Sequence, residues 1–167
     1  FRVVIPYGKQ NISTEDISSV IEVLKSDFLT QGPCVPIFEK VIKEKCHSEY
    51  AIATNSATSA LHIACLSLGL TQGDWLWTSP TSFVASANCG LYCGANIDFV
   101  DIDLDTFNMS ISELEKKLQT AESVNKLPKI VIPVHFGGES CDMSRIRQLS
   151  IKYGFSVIED ASHAIGG

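Results

Sequence analysis

Apolar side chains recur at helical spacing near the N-terminus and give way to short continuous apolar runs further along. Ile17, Val20, Ile21 and Leu24 lie three and four residues apart, the interval that puts them on one face of a helix. Ser13-Thr14-Glu15-Asp16 just ahead supplies a cap and an acidic first turn, so a helix is expected through about Ser26. A second stripe, Ile37, Phe38, Val41 and Ile42, predicts a helix over residues 35–46, and Phe28-Leu29-Thr30-Gln31-Gly32-Pro33 between the two reads as an irregular loop.

From Tyr50 the pattern changes. Residues 50–54, 75–78, 97–100, 129–134 and 155–159 are short apolar runs, each read as a strand. Residues 55–68 and 81–93 have helical composition. Ser110 caps a helix over 111–119, and Asp142-Met143-Ser144 opens one that reaches Tyr153. Strands separated by helices of this length imply crossovers and a mostly parallel sheet. The expected class is therefore α/β, with helices on both faces. In such sheets ligands sit at the carboxyl ends of the strands. That rule directs attention to residues 55–59, 80–83, 135–138 and 160–163.

Composition narrows the function classes. No run approaches the roughly 18–20 uninterrupted apolar residues of a membrane span, and no basic stretch followed by an apolar signal core opens the chain. The net charge of −6 gives no electrostatic case for nucleic-acid binding. Local backbone N–H groups can still hold a phosphate in an acidic protein. The six cysteines, at 34, 46, 65, 89, 93 and 141, form no Cys-x-x-Cys pair and are expected to be buried free thiols in a reducing cytoplasm. No zinc-ligand pattern is present, so no metal is expected.

Asn55-Ser56-Ala57-Thr58-Ser59 places small residues and hydroxyls where a helix begins. Its unpaired N–H groups and dipole suit an anion, although a plain Asn or Ser cap explains the same residues. Asp160 follows an apolar strand. A carboxylate there is costly unless paired, and opposite a protonated pyridine nitrogen it would keep the ring an electron sink; capping the turn is the alternative role. Phe83, just past a strand end, either stacks on a planar group or joins the core. His135 reads as a hydrogen-bonded structural histidine. There is no Gly-x-Gly-x-x-Gly, no P-loop and no Gly-x-Ser-x-Gly elbow.

Taken together, five segments resemble the DegT/StrS family of fold-type-I, pyridoxal-phosphate (PLP)-dependent sugar-nucleotide aminotransferases. They are Phe28-Leu29-Thr30-Gln31-Gly32, Asn55-Ser56-Ala57-Thr58-Ser59-Ala60-Leu61-His62, the stretch from Thr78 to Asn88 containing Ser79-Pro80-Thr81-Ser82-Phe83, Pro133-Val134-His135-Phe136-Gly137-Gly138, and Ile158-Glu159-Asp160-Ala161-Ser162-His163. Within the family, Leu29-Thr30-Gln31-Gly32 and Asn55-Ser56-Ala57-Thr58-Ser59 look most like the 4-aminotransferases of the pseudaminic-acid pathway, which act on a UDP-linked 4-keto-6-deoxy-N-acetylhexosamine. The resemblance implies a PLP-binding large domain, incomplete at its C-terminus, over residues 35–167, preceded by an N-terminal arm and helix over 1–34. It also implies a homodimer, a nucleotide-sugar substrate, glutamate as amino donor, and a place in surface-polysaccharide or glycan biosynthesis.

By the same resemblance Ala57, Thr58 and Ser59 would hold the cofactor phosphate, Phe83 would stack on the pyridine ring, Asp160 would pair with its nitrogen, and His163 would contact the phenolic oxygen. Tyr7 and Asp27, Phe28, Leu29 and Thr30 would face the sugar nucleotide. The family's Schiff-base lysine follows the Asp-x-x-His segment in a Ser-Phe-x-x-x-Lys context. No lysine of this chain has that setting, and the chain ends at Gly167, four residues after His163. The catalytic lysine is thus expected to lie beyond Gly167. The chain is then an N-terminal fragment, inactive alone because a transaminase needs that amine to bind the cofactor and move the substrate proton. Three alternatives stand beside it: a dehydratase of the same family with histidine in place of the lysine, a truncated binding protein without catalysis, and a nucleotide-binding oxidoreductase.

Overall fold

A computed structural model describes residue 8 and residues 10–166. Gly167 falls outside the described residues, and so does the lysine expected beyond it. The described residues group into two compact units that divide between Ala53 and Thr54.

The first unit holds two helices. Helix α1, Thr14–Lys25, opens with a reciprocal capping box: Ser13 Oγ accepts from Asp16 N (3.2 Å) while Ser13 N donates to Asp16 Oδ2 (2.8 Å). Helix α2 spans Cys34–Lys45. Both match the expected stripes, yet neither contains a buried residue. The expected strand over 50–54 is absent. Those residues have no ladder partner among the described ones, and Tyr50 and Ile52 are 77% and 82% exposed. An apolar run signals a strand only where a neighbour can take its backbone hydrogen bonds. Here Ala53 N donates instead to Glu39 Oε1 of α2 (2.8 Å).

The second unit is the sheet. It runs α3 (Ala57–Ser67), β1 (Trp75–Thr78), α4 (Ala85–Tyr92), β2 (Asn96–Phe99), α5 (Ile111–Ser123), β3 (Ile130–Ile132), a 3-10 turn (Phe136–Gly138), α6 (Met143–Tyr153) and β4 (Ser156–Val157). Every strand pair is parallel, in the order β2-β1-β3-β4. Successive strand residues point to opposite faces, and this divides the core in two. Leu76, Ile130 and Ile132 pack with Leu61 and Cys65 of α3 and Ala85 and Cys89 of α4. Trp77 and Val131 pack with Leu114 and Leu118 of α5 and Ile146 and Leu149 of α6. The class is α/β, with helices on both faces of a parallel sheet.

Helix α4 lies close on the sheet because Gly90 has no Cβ. One added there would meet Ile97 Cδ1 at 2.5 Å and Leu76 Cδ1 at 3.1 Å. The helix also starts later than the pattern predicts, at Ala85 rather than Thr81. Ser82 explains the delay: its hydroxyl lies within reach of Phe83 O (3.1 Å) and Ser86 Oγ (2.7 Å), an alternative to the helical ladder that holds the turn in a non-helical path. Regular pairing of β4 ends at Val157. A further parallel bridge between Val134 and Asp160 carries the alignment two residues past β3. No helix among the described residues is long and apolar enough to cross a membrane.

Candidate active site

All the parallel strands of the second unit end on one side, and the segments after β1, β3 and β4 carry Phe83, His135, Asp160 and His163, while the start of α3 follows no strand. At the start of α3, Ser56 is the N-cap. Its Oγ accepts from Ser59 N (3.2 Å) and its carbonyl accepts from Ala60 N (3.1 Å). The N–H groups of Ala57 and Thr58 are left with no acceptor inside the helix, at the positive end of its dipole. The cap is real, and it leaves these two donors without a helical acceptor. The Ser59 hydroxyl points back to Asn55 Oδ1 (2.7 Å).

Phe83 sits in the turn after β1 and is 74% exposed. It is therefore not a core residue, and its ring is open to a planar partner. Three residues on, Ser86 is fully buried. Its hydroxyl lies 2.7 Å from Asp160 Oδ2.

Asp160 is 7% exposed. Its main chain is clamped to the residues after β3: Asp160 N donates to Pro133 O (3.0 Å) and His135 N donates to Asp160 O (3.1 Å). Its Oδ1 accepts from Ser162 Oγ (2.6 Å) and Ser162 N (3.3 Å). Among the described residues no cation pairs with it. A carboxylate held only by hydroxyls and an N–H, nine-tenths out of water, retains an unmet preference for positive charge.

His135 is structural, as its position suggests. Nδ1 accepts from Cys141 N (3.1 Å), which places the ring proton on Nε2, where it faces Glu159 Oε2 (2.9 Å). This locks the loop after β3 to the end of β4. Gly138 reinforces the lock, since a Cβ there would lie 2.8 Å from His163 O. His163 itself is exposed.

Helices α3 and α4 meet through two thiols. Cys65 Sγ and Cys89 Sγ are 3.7 Å apart and wholly buried. The hydrogen bond to Cys89, and then burial, push the Cys65 thiol up from its ordinary range. Cys141 is also buried, but Cys34 and Cys46 are exposed. The expectation of buried thiols fails for these two because they bound α2, which buries nothing.

The remaining candidates belong to the first unit. Phe28 and Leu29 line a groove of about 490 Å³ with Ser26, Gln31 and Val35, while Asp27 and Thr30 stand exposed beside it. Tyr7, like Gly167, lies outside the described residues. Sequence reasoning missed Ser86 and Ser162, the two hydroxyls on Asp160. An Asp-x-Ser spacing marks Ser162, but nothing local connects Ser86 to a residue 74 positions away.

The profile of the DegT/DnrJ/EryC1/StrS aminotransferase family matches residues 10–167. The chain belongs to that family. It is 40% identical over 162 residues to a UDP-4-amino-4,6-dideoxy-N-acetyl-beta-L-altrosamine transaminase of Campylobacter jejuni, covering 97% of this chain and 42% of that protein. Helicobacter pylori PseC, an aminotransferase involved in the biosynthesis of pseudoaminic acid, superposes with a TM-score of 0.87 at 32% identity, over 96% of this chain and 42% of PseC. NtdA of Bacillus subtilis, solved with bound cofactor PMP, gives a TM-score of 0.82 at 36% identity, over 93% of this chain and 35% of NtdA. The chain spans about two fifths of the length of the curated relatives it matches. A relative in the DegT/DnrJ/EryC1/StrS fold thus carries a pyridoxal-type cofactor, and the strand-end groups described above are the candidates to hold one here.

Proposed function

We propose that this chain is the N-terminal part of a PLP-dependent aminotransferase that moves an amino group from glutamate to a nucleotide-linked keto-deoxy sugar, in glycan or surface-polysaccharide biosynthesis. The observation that carries the reading is Asp160: a buried carboxylate at a strand end, rigidly held and without a cation among the described residues. A protonated pyridine nitrogen is the kind of partner it lacks. The other groups fit the same ligand. Ala57 and Thr58 offer two N–H donors to a phosphate, with the Thr58 and Ser59 side chains beside them. Phe83 presents a bare aromatic face of the sort that stacks on a planar ring. The Ser79 hydroxyl, buried just after β1 and without a partner among the described residues, is a further polar group on that side.

When bound, PLP supplies the electron sink on which amino-group transfer depends. This chain's share is to hold the phosphate at α3, cover one face of the ring with Phe83, keep a negative charge at Asp160, and approach the phenolic oxygen with His163. The lysine that completes the site is assigned to sequence beyond Gly167. Tyr7 and residues 27–30 are assigned to the nucleotide sugar, and the working unit is taken to be a homodimer.

The test uses the full-length protein containing this chain. PLP added to the apoprotein should bind saturably and become fixed on borohydride reduction. In a separate, unreduced sample glutamate should convert the absorbance to that of the amine form, and a UDP-linked 4-keto sugar should restore it. Saturable binding of NADH with none of PLP would overturn the proposal in favour of an oxidoreductase.

A further inference from the structure

We propose that Ser86 is the positioning residue that presents Oδ2 of Asp160 to the cofactor's ring nitrogen, an inference that rests on the function proposed above. A carboxylate has about four lone-pair sites, two on each oxygen. On Oδ1 both are taken, by the N–H and O–H of Ser162. On Oδ2 one is taken, by Ser86. The remaining acceptor site is therefore on the oxygen that Ser86 holds.

The two serines differ in what they can fix. Ser162 is two residues from Asp160 in the same exposed turn and moves with it. Ser86 belongs to α4, which is packed on the sheet through Ala85, Cys89 and Gly90. With the Asp160 backbone already clamped to residues 133 and 135, rotation of the side chain is the freedom left, and the bond to α4 removes it. Ser86 is itself oriented. With the Ser86 proton on the carboxylate at 2.7 Å rather than on Phe83 O at 3.3 Å, Ser82 turns its own proton from Phe83 O to Ser86 Oγ across the 2.7 Å contact between the two hydroxyls. Ser82 precedes Phe83 directly. One chain of hydroxyls thus ties the turn that carries the stacking aromatic to the carboxylate that meets the ring nitrogen, and ring and charge keep a fixed relation.

The experiment measures binding of two ligands to the full-length apoprotein by equilibrium dialysis: PLP, and its 1-deaza analogue, in which a C–H replaces the ring nitrogen. Ser86→Ala should weaken PLP about tenfold, the scale of a lost charge-assisted hydrogen bond, and weaken the analogue less than about twofold. Ser86→Cys, which has the same shape with a larger atom and leaves a poor donor, should fall between wild type and Ser86→Ala for PLP alone. Ser86→Ala should also lower the melting temperature of the apoprotein, because the buried carboxylate loses a donor, but that loss is common to both ligands and leaves their ratio as the readout. Equal losses for the two ligands would make Ser86 a packing residue and overturn the proposal, as would no loss for either. Should Ser86→Ala fail to fold, Ser86→Cys decides by the same criterion. A wild type that binds PLP and the analogue equally well removes the role of the ring nitrogen and overturns the inference while leaving PLP dependence intact. A wild type that binds neither defeats the proposed function itself.

Discussion

The two compact units use the same sequence grammar and reach opposite results. Helices α1 and α5 are both amphipathic, both capped by a serine, and similar in length at 12 and 13 residues. Helix α5 buries Leu114, Leu118 and Ala121 against the sheet. On α1, Val20 and Leu24 remain 61% and 63% exposed. Periodicity states which face of a helix is apolar. It does not state that the surface meant to cover that face lies in the same stretch of chain.

The largest expected effect separates the units by stability. Leu118 is fully buried, so Leu118→Ala should cost about 2–5 kcal/mol through lost transfer energy and the cavity left behind. Leu24→Ala in the 167-residue chain should cost less than about 0.5 kcal/mol, as for other exposed sites. Denaturant midpoints at constant slope measure both. Equal losses would break the contrast. The same pair in the full-length protein sharpens it: a Leu24→Ala cost that rises toward that of Leu118→Ala identifies the α1 stripe as a face that other residues cover.

A second pair compares glycines. Gly138 has φ +93°, and an added Cβ would meet the His163 carbonyl at 2.8 Å. Gly138→Ala therefore meets both backbone strain and a backbone clash, for about 1–3 kcal/mol. In the first unit, a Cβ on Gly32 would come to 3.1 Å from Phe28 Cβ and O, in an exposed loop that can give by a few tenths of an ångström. Gly32→Ala should change the melting temperature less than Gly138→Ala. The reverse order would mean that the link between residues 138 and 163 is looser than its geometry indicates.

Most of the fold was legible because its signals are local. The cap at Ser13, the run of β1, the apolar stripes of α1 and α2, and the Asp142 start of α6 depend on neighbours a few positions apart, and each appears where the local pattern puts it. The failures need distant information. Residues 50–54 have the composition of a strand but no partner among the described residues, and ladder partners are never written in the strand itself. Residue type leaves Phe83 open between stacking and the core, and only the folded turn shows it 74% exposed. The site was legible to a similar depth. Asp160 follows from strand-end logic and the Ala57-Thr58 turn from the small and hydroxyl residues that open a helix, whereas Ser86 touches Asp160 only because α4 folds back over the sheet.

The smallest expected effect compares two ion pairs. In the sheet unit, Lys129 Nζ lies 2.8 Å from Asp74 Oδ2 and also donates to Gly69 O (2.6 Å), while Thr71 N donates to the same carboxylate oxygen (2.9 Å). The hydrogen bond from Lys129 is the main reason the Asp74 carboxyl is held below its ordinary range; partial burial opposes it. A depressed carboxylate stabilises the fold above its unfolded value, near pH 4, and loses that contribution as pH falls through the folded value below it. Asp74→Asn should therefore lower the melting temperature at neutral pH, by the equivalent of about 1 kcal/mol at most for a half-exposed pair. The gap to wild type should close as the pH drops below about 4. In the first unit, Lys40 and Glu44 are 3.9 Å apart with side chains 75% and 65% exposed. Glu44→Gln should leave the melting temperature where it was, because two solvated side chains gain little from meeting. An amide oxygen at position 74 can still accept from Thr71 N, so Asp74→Asn removes the charge and spares that bond. A gap that persisted unchanged into acid would mean that the amide disturbs the turn sterically, and the carboxylate's charge would then contribute nothing.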